Sequence, residues 1–238
     1  MISVCIATYN GEKYILEQLN SILPQLSASD EVIISDDHST DNTIKLIKNL
    51  KDPRIKIYLH DSESFKFTID RSTHNFENAI KHAHGDKIFL SDQDDKWVDN
   101  KIEMMLPLLN EYDTAVSDCY VVDENLNITY KSYFSIRKKT YNIWSTFWKS
   151  PFLGSCMAFD RKVLTDVLPF PQYGVGHDIW IALVSLKKHS LCYIDAPLSY
   201  YRRHLGTVTG SGKNNHTSLL FKISYRYYIL KNMLKRLY

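Results

Sequence analysis

The chain has 238 residues, enough for one large domain or two small ones with a substantial core. Hydrophobic residues make up 44% and charged residues 24%, close to the average of soluble globular proteins, which excludes collagen-like, low-complexity and largely disordered chains. The formal net charge is +2, and the eight glycines form neither a GxGxxG dinucleotide fingerprint nor a GxxxxGKS/T phosphate loop.

Strands and helices alternate along the first half of the chain. The strands are apolar on both faces, which is typical of a mostly parallel sheet covered by helices on each side. Apolar runs predict strands at Ile2–Thr8, Glu31–Ser35, Ile55–Leu59, Lys87–Leu90 and Thr114–Asp118, and helical spacing predicts helices at Glu12–Leu23, Asp41–Leu50, His74–His84 and Asp99–Asn110.

The alternation ends near Asn125, and the second half reads as a mixed region. The segment Leu205–Thr217, rich in Gly, Ser and Asn, predicts a mobile loop before a last helix. Patterning predicts strands at Cys156–Phe159, Leu191–Ile194 and Ser199–Arg203, and helices at Arg161–Leu168 and Asp178–Lys188.

The cysteines and the N-terminus bear on the cellular compartment. The four cysteines lie in apolar or β-rich stretches without CxxC spacing, which predicts reduced, buried thiols rather than disulfides or zinc ligands. The run MISVCIATYNGEKY lacks the basic and apolar regions of a signal peptide, and no stretch approaches about 18 apolar residues. These patterns predict a cytoplasmic location.

Charge is distributed unevenly along the chain. Residues 213–238 hold six basic residues and no acidic one, which leaves 23 basic and 27 acidic residues for the remainder. A basic tail on an acidic body predicts that the tail contacts an anionic membrane or a nucleic acid. The body itself is not expected to bind nucleic acid, because its net charge is negative.

An acidic loop follows the fourth predicted strand. Asp92, Asp94 and Asp95 lie within four positions of one another, and carboxylate oxygens are preferred ligands of Mg²⁺ and Mn²⁺. Ligands of parallel sheets bind beyond the carboxyl ends of the strands, where this loop is expected to lie. The alternative is a solvated turn, which is the commoner role of an isolated acidic loop.

Two other polar clusters follow the first and second strands. Tyr9 could stack on a nucleotide base, and the acidic pair Asp36 and Asp37 could accept the N–H of a pyrimidine ring. The alternative is that this second cluster caps the helix that follows, with Ser39, Thr40 or Asp41 as the cap. The two roles are compatible.

Five motifs occur in order along the chain: ATYNG at 7–11, DEVIISDDHSTDNT at 30–43, HNFENAIKHAHGDKIFLSDQDDKW at 74–97, GHDIW at 176–180 and YYRRHLGTVTG at 200–210. Together they resemble the family 2 glycosyltransferases of GT-A fold, over about residues 2–210. The similarity is greatest to the bacterial branch with a DQDDxW signature, which builds O-antigen and capsule. The resemblance implies one GT-A domain over residues 1–212, with a nucleotide-sugar-binding half at 1–118 and an acceptor-binding half at 119–212.

The resemblance also implies a role for each matching residue. Asp178 is the expected catalytic base, which takes a proton from the acceptor hydroxyl in a single inverting displacement. A bound Mn²⁺ or Mg²⁺ neutralises the departing nucleoside diphosphate. The nucleotide-binding residues are Ala7, Thr8, Tyr9, Asp37 and Asp92, the metal ligands are Asp94 and His204, and further candidates for the donor or acceptor site are Asp36, Asp95, Trp97, His177, Trp180 and Arg203.

Several of these residues could instead have a purely structural role. Asp178 could be an acid favoured by the dipole at a helix N-terminus, and Trp97 and Trp180 could be core residues. Trp144 and Trp148 could stack on a sugar of the acceptor or pack in the core. The basic run Arg137–Lys139 could attract a lipid diphosphate or be a solvated face.

The last helix, within residues 213–238, has one apolar stripe flanked by basic residues. The stripe predicts a helix that lies on an anionic membrane, which would make the protein peripheral on the cytoplasmic face of the bacterial inner membrane. The alternative is a helix docked on the body or on a second subunit. Its members are Leu220, Ile223, Tyr227, Leu230, Leu234 and Leu237.

These features predict a metal-dependent inverting glycosyltransferase. The expected donor is UDP-galactose or UDP-glucose, and the expected acceptor is an undecaprenyl-diphosphate-linked GlcNAc-type saccharide of O-antigen or polysaccharide biosynthesis. A dTDP-rhamnose-dependent rhamnosyltransferase is the alternative within the family. A sugar nucleotidyltransferase and a non-catalytic sugar- or membrane-binding module are the alternatives from other classes.

Overall fold

A computed structural model describes residues 1–61, 65–204 and 219–238, so the predicted loop Leu205–Thr217 lies outside the described residues. In chain order the elements are β1 (Ile2–Thr8), α1 (Ile15–Ile22), β2 (Glu31–Asp36), α2 (Thr43–Asn49), β3 (Ile55–Leu59), α3 (Thr68–His82), β4 (Lys87–Asp92), β5 (Lys96–Trp97), α4 (Lys101–Met105), β6 (Thr114–Val122), β7 (Ile128–Tyr130), α5 (Ile143–Trp148), β8 (Met157–Asp160), α6 (Leu164–Val167), α7 (His177–Lys188), β9 (Leu191–Arg202) and α8 (Leu219–Arg236).

The first half forms the parallel sheet that the sequence predicts. Strands β3, β2, β1 and β4 lie side by side in that order, and every pair among them is parallel. Neighbouring residues of β2 enter different cores, Ile33 on one face of the sheet and Ile34 on the other, because successive side chains of a strand point to opposite faces. The carboxyl ends of β1, β2 and β4 therefore meet at one edge.

The second half extends this sheet with antiparallel strands. β8 lies antiparallel between β4 and β6, β9 runs parallel to β6, and β5 and β7 pair with β9 and β6. Within the described ranges this makes one mixed sheet of nine strands. One core lies between the sheet and α3, α7 and α8, and the other lies against α1 and α4. The predicted α/β fold is confirmed.

Helix α3 begins at Thr68, six residues before the predicted start at His74. Its first turn is polar and lacks the apolar spacing of the rest of the helix. The Asp70 carboxylate accepts the N–H of Phe67 at 3.0 Å and so caps this turn. The extra turn matters for the site, because it carries Arg71 to the carboxyl ends of the strands.

Two further elements differ from the prediction, and each contains a proline. The predicted helix Asp99–Asn110 is interrupted at Pro107, which has no N–H to donate, and continues as the 3-10 helix Leu108–Asn110. The two short strands predicted between Leu191 and Arg203 form the single strand β9. Its pairing with β6 is irregular around Pro197, and a bulge of this kind tolerates a proline inside a sheet.

Helix α8 docks on the body by a face that overlaps only part of the predicted stripe. Ile229 and Met233 are fully buried in the core shared with α3 and α7, whereas Ile223, Tyr227 and Leu234 of the predicted stripe are more than half exposed. The predicted stripe is therefore divided, because Leu237 is buried in the same core and Leu230 packs against it, which agrees with the alternative of a helix docked on the body. In the described part of the chain, no helix has both the length and the apolar character needed to span a bilayer.

Candidate active site

A cavity of about 720 Å³ opens at the carboxyl ends of β1 and β4. It is bounded by the loop after each of these strands, the first turn of α3, the N-terminus of α7 and the end of β9. Nine of the predicted site residues line it, namely Ala7, Thr8, Tyr9, Asp37, Asp92, Asp94, His177, Asp178 and His204. Residues from five motifs far apart in sequence thus meet in one place.

One end of the cavity carries an aromatic ring, a carboxylate and a guanidinium. Tyr9 is 43% exposed, and the guanidinium carbon of Arg71 lies 4.0 Å from the centre of its ring. Arg71 also forms an ion pair with Asp37, whose other carboxylate oxygen is 3.2 Å from Nδ1 of His60. Sequence reasoning missed Arg71, because the predicted helix began too late to include it.

The carboxylate of Asp36 forms hydrogen bonds with β1 and with the turn that follows β2. Its carboxylate accepts the hydroxyls of Thr8 and Ser39 at 3.0 and 2.6 Å and the N–H of Ser39 at 2.8 Å. The residue is 1% exposed and does not line the cavity. The expectation that Asp36 belongs to the donor or acceptor site is wrong, and its role is to shape the loop that presents Asp37.

The acidic loop after β4 divides its carboxylates between the cavity and the interior. Asp92 and Asp94 line the cavity, whereas Asp95 is buried beneath it and accepts the N–H of Arg202 at 2.9 Å. The expectation that Asp95 belongs to the donor or acceptor site is therefore wrong, because its carboxyl group does not line the cavity. Burial, with the nearby carboxylates of Asp94 and Asp178, raises the pKa of Asp92 to about 8. Asp92 therefore favours its protonated form at neutral pH unless a cation lies beside it.

The donor set suits a hard divalent cation that shares its coordination with a substrate. Asp94 Oδ2 lies 2.8 Å from Nε2 of His204, and Asp92 adds a second carboxyl group beside this pair, whose ionised form a bound cation would favour. Among residues 1–61, 65–204 and 219–238, no three His, Cys, Asp or Glu side chains form a group able to hold a metal ion. Mg²⁺ and Mn²⁺ need only one or two protein ligands when phosphate oxygens and water complete the shell, so two side chains suffice.

Asp178 stands across the cavity in the first turn of α7. Burial raises the pKa of its carboxyl group to about 6. Its side chain also accepts the N–H of Ile179 at 2.7 Å, which fixes its orientation. A carboxylate with a pKa near neutrality is well suited to take a proton at physiological pH.

His177 precedes this acid and is held as a neutral ring. Its imidazole packs against Phe76 with ring centroids 4.1 Å apart, and burial lowers its pKa to about 3. Its Nε2 atom is buried and has no hydrogen-bond partner among the described residues. That atom points at Gly154, where a Cβ atom would overlap it.

We expect Gly154→Ala to displace His177 and to narrow the cavity. The ring cannot retreat freely, because Phe76 lies on its other side, so the substitution is expected to cost about 1–3 kcal/mol of stability or to impair substrate binding. Thermal denaturation and the donor KM measure the two effects. Gly154→Ala combined with His177→Ala removes the overlap and should recover most of the lost stability. Equal stability of the single variant and the unsubstituted protein would contradict this prediction.

The end of β9 contributes Arg202 rather than the predicted Arg203. Arg202 is 3% exposed and forms an ion pair with Glu17, and it donates hydrogen bonds to the carbonyl oxygens of Asp94 and Glu124 at 2.8 and 2.7 Å. It thus ties the acidic loop to α1 and to the segment after β6. Arg203 does not line the cavity, and its guanidinium lies 5.8 Å from the ring of Tyr201. The prediction that Arg203 is a site residue is wrong.

Both predicted tryptophans are core residues. Trp97 and Trp180 are fully buried and lie outside the cavity, so neither can act as a platform for a sugar. Trp97 packs on Phe89, and the indole N–H of Trp180 donates to the carbonyl oxygen of Val167 at 2.9 Å. The expectation that they belong to the donor or acceptor site is therefore wrong.

Beneath the acidic loop lies a buried lysine that the sequence did not reveal. Lys101 Nζ donates to the carbonyl oxygen of Ser155 at 2.6 Å and to the hydroxyl of Ser199 at 2.8 Å, and it lies 4.5 Å from the centre of the Trp97 ring. Burial lowers its pKa, while the nearby Asp95 opposes that shift. Lys101 therefore joins α4, β9 and the turn before β8 under the floor of the site.

The comparison with known families decides the assignment. The family model for Glycosyl transferase family 2 matches residues 3–168. The chain belongs to this family. This glycosyltransferase is 38% identical over 239 residues to the dTDP-rhamnosyl transferase RfbG of Shigella flexneri, with 93% of the chain and 77% of that protein covered. It is 29% identical over 214 residues to WfgD of Escherichia coli, a UDP-Glc:alpha-D-GlcNAc-diphosphoundecaprenol beta-1,3-glucosyltransferase, with 89% and 80% covered.

Solved structures give the fold of the glycosyltransferase. Staphylococcus aureus TarS in complex with UDP-GlcNAc matches 98% of the chain and 66% of its own length, with a TM-score of 0.71 and 19% identity. The mannosyltransferase PcManGT of Pyrobaculum calidifontis, in complex with GDP-Man and Mn²⁺, matches 82% and 54% with a TM-score of 0.57 and 18% identity. The fold is GT-A, and the predicted family and enzyme class are confirmed.

Proposed function

We propose that this glycosyltransferase is an inverting, metal-dependent enzyme that moves a hexose from a pyrimidine nucleotide sugar to a lipid-linked saccharide. The observation that carries the proposal is the arrangement of acids in one cavity. Asp178, with a pKa of about 6, faces the acidic pair Asp92 and Asp94. One acid is thus suited to accept a proton while the other two are suited to hold a cation and a diphosphate.

The nucleoside end of the donor fits the side of the cavity that carries Tyr9. The exposed ring of Tyr9 offers a stacking surface for a base, and Asp37 offers an acceptor for the ring N–H of a pyrimidine. Arg71 spans both residues, so it orients the tyrosine ring and the carboxylate together. Ala7 and Thr8 form the wall between this end and the acidic loop.

The diphosphate end fits the acidic loop. Asp94 and His204 would hold a Mn²⁺ or Mg²⁺ ion, with Asp92 beside them. When bound, the ion acts as a Lewis acid that stabilises negative charge on the departing nucleoside diphosphate. Arg202 keeps the carbonyl of Asp94 in place and so fixes the orientation of the loop.

The acceptor hydroxyl is expected to approach from the side of Asp178. This carboxylate takes the hydroxyl proton as the oxygen attacks the anomeric carbon. The new glycosidic bond forms as the bond to the diphosphate oxygen breaks, and the configuration at the anomeric carbon inverts. His177, whose buried Nε2 points at Gly154, shapes the wall of the cavity beside Asp178.

The relatives favour two donors and one class of acceptor. WfgD is described as using UDP-Glc and a GlcNAc-diphosphoundecaprenol acceptor, which supports a UDP-hexose and an undecaprenyl-diphosphate-linked GlcNAc-type acceptor of O-antigen biosynthesis. UDP-galactose is the other candidate UDP-hexose. The second candidate donor is dTDP-rhamnose, which the 38% identity to RfbG favours.

The test is transfer to a synthetic GlcNAc-diphospho-lipid, followed by mass spectrometry. UDP-Glc, UDP-Gal, UDP-GlcNAc and dTDP-rhamnose are offered separately, with Mn²⁺ or with EDTA. The proposal predicts product from one donor and loss of that product in EDTA. Failure of every donor, together with no thermal stabilisation by UDP or dTDP in Mn²⁺, would overturn it.

The rate of transfer should depend on pH through Asp178. Below a pH of about 6 the carboxyl group is protonated and cannot accept the acceptor proton, so kcat/KM should fall about tenfold per pH unit. Above that pH the carboxylate is ionised and the rate should level. Stopped assays between pH 5 and 8 at saturating Mn²⁺, with circular dichroism at each pH to verify folding, measure this. A flat profile down to pH 5 would contradict the assignment of the base.

A further inference from the structure

Exposed aromatic and aliphatic side chains are concentrated where α5 meets α8. We define the α5–α8 surface as Trp144, Trp148, Ile223, Tyr227 and Leu234, which are 46%, 66%, 59%, 58% and 59% exposed. Tyr141 and Tyr238 border it and are also more than 60% exposed. Large apolar side chains exposed together in this way mark an interaction surface.

The two helices form one continuous surface. The guanidinium of Arg226 lies 5.7 Å from the ring of Phe147 and donates to the carbonyl oxygen of Trp148. The Trp144 and Tyr238 rings stack with centroids 6.3 Å apart. These contacts hold α5 against α8, so the exposed side chains of both helices face outward together.

The exposed side of α8 is not required to attach the helix to the body. Ile229 and Met233, on its opposite side, are completely buried, and Arg236 donates to the carbonyl oxygens of residues 166–168. The helix is therefore anchored by one apolar side and presents a second one. Because folding does not bury this second side, it is available to contact a partner.

Charge identifies the partner. Residues 131–149 and 219–238 contain ten basic residues and no acidic one. Lys138, Lys149, Lys222, Lys231 and Lys235 are exposed. Two nearby acids are paired with lysines, Asp195 with Lys139 at 2.5 Å and Asp166 with Lys188 at 2.6 Å. Tryptophan, tyrosine and lysine side chains without acids form the composition that settles at the interface of an anionic bilayer.

We propose that the α5–α8 surface docks the enzyme on an anionic lipid bilayer. The use of such docking rests on the proposed function, because only a lipid-linked acceptor would require the enzyme to lie at the membrane. A second copy of the chain is a poorer occupant, because pairing this surface with itself would bring like charges together. The expected location is then peripheral, at the membrane face where the acceptor is embedded.

Helix α8 also contacts the segment that carries the candidate base. Tyr225, on α8, hydrogen-bonds the backbone of Gly176, and Tyr228 packs on Gly174. Both glycines belong to the segment that leads into Asp178. Docking through α8 would thus bring the acceptor side of the cavity close to the lipid headgroups, where the diphosphate of a lipid-linked saccharide lies.

The first test measures binding to vesicles of phosphatidylcholine with and without 30% phosphatidylglycerol. The full chain should bind the anionic vesicles, and the binding should weaken as salt is raised. The variant Ile223→Ser/Tyr227→Ser/Leu234→Ser should bind at least about tenfold more weakly. The matched control Ile128→Ser/Tyr130→Ser, which alters two half-exposed side chains on β7, should bind like the unsubstituted protein.

Three results would overturn the proposal. They are no binding of the full chain to anionic vesicles, equal binding of the triple variant, and a dimer in solution that the triple variant abolishes. Circular dichroism and thermal denaturation verify that each variant is folded. None of these measurements depends on enzymatic activity, so they remain valid if the proposed donor and acceptor are wrong.

The second test separates docking from chemistry. With an acceptor embedded in anionic vesicles, the triple variant should lose at least about tenfold in rate, while with a short-chain, water-soluble acceptor its rate should match that of the unsubstituted protein. Equal losses with both acceptors would show that the substitutions act on the site and would overturn the proposal.

Discussion

Replacing Asp178 with asparagine is expected to lower the rate of transfer by about 10² to 10⁴-fold. Asparagine keeps the shape of the side chain at the start of α7 but cannot accept the proton of the acceptor hydroxyl. Binding of the donor nucleotide should be unchanged, because the nucleoside end of the cavity is formed by other residues. Single-turnover transfer and calorimetric titration with UDP or dTDP measure the two quantities.

The variant should be at least as stable as the unsubstituted protein. A buried carboxylate with a raised pKa destabilises the folded state above the pH at which it ionises, and the amide has no such cost. Asp86→Asn, which alters an acid with a 76% exposed side chain outside the cavity, is the matched control and should transfer normally. Transfer by Asp178→Asn at more than a tenth of the normal rate would remove Asp178 from the role of base.

The second large effect is expected at the acidic loop. Asp94→Asn removes the charge of the carboxylate that faces His204, and with it much of the affinity of the loop for a divalent cation. Lewis-acid stabilisation of a leaving group is worth several kcal/mol, so we expect a loss of roughly 10³-fold in transfer rate. The unsubstituted enzyme should lose its activity in EDTA and regain it with Mn²⁺ or Mg²⁺.

Metal dependence distinguishes this effect from a general disturbance of the site. Asp94→Asn should raise the concentration of Mn²⁺ needed for half-maximal activity and should abolish the thermal stabilisation that Mn²⁺ gives in the presence of UDP or dTDP. The control Asp86→Asn should leave both unchanged. Transfer that persists in EDTA, in the unsubstituted enzyme, would refute a metal-dependent mechanism.

Much of the fold and of the composition of the cavity could be predicted from the sequence. Buried parallel strands are recognised in a sequence by apolar residues on both faces. Their carboxyl ends lie at the same edge of the sheet, so the acids after β2 and β4 could be expected in one place. The structure brings Asp37, Asp92 and Asp178 to one cavity. Their chemical roles remain predictions.

The errors arose where a pattern has two physical solutions. Trp97 and Trp180 lie close in sequence to key acids. Proximity in sequence does not determine whether a ring points into the site or into the core, and both rings are buried in the core. Arg202 and Arg203 are adjacent and identical in type, and only the path of β9 decides which one enters the site. The regularly spaced stripe of α8 is divided between exposed residues (Ile223, Tyr227 and Leu234) and the buried Leu237, and spacing alone does not show where a helix of this kind meets the body.

The contact between Gly154 and His177 has an evolutionary consequence. A side chain at position 154 and an imidazole at position 177 occupy the same space, so one excludes the other. In homologues that keep this cavity, the two positions should therefore vary together, with glycine at the first wherever a large ring stands at the second. A lineage that acquired a smaller residue at 177 would be free to lose the glycine, and the freed volume would be open to a larger sugar.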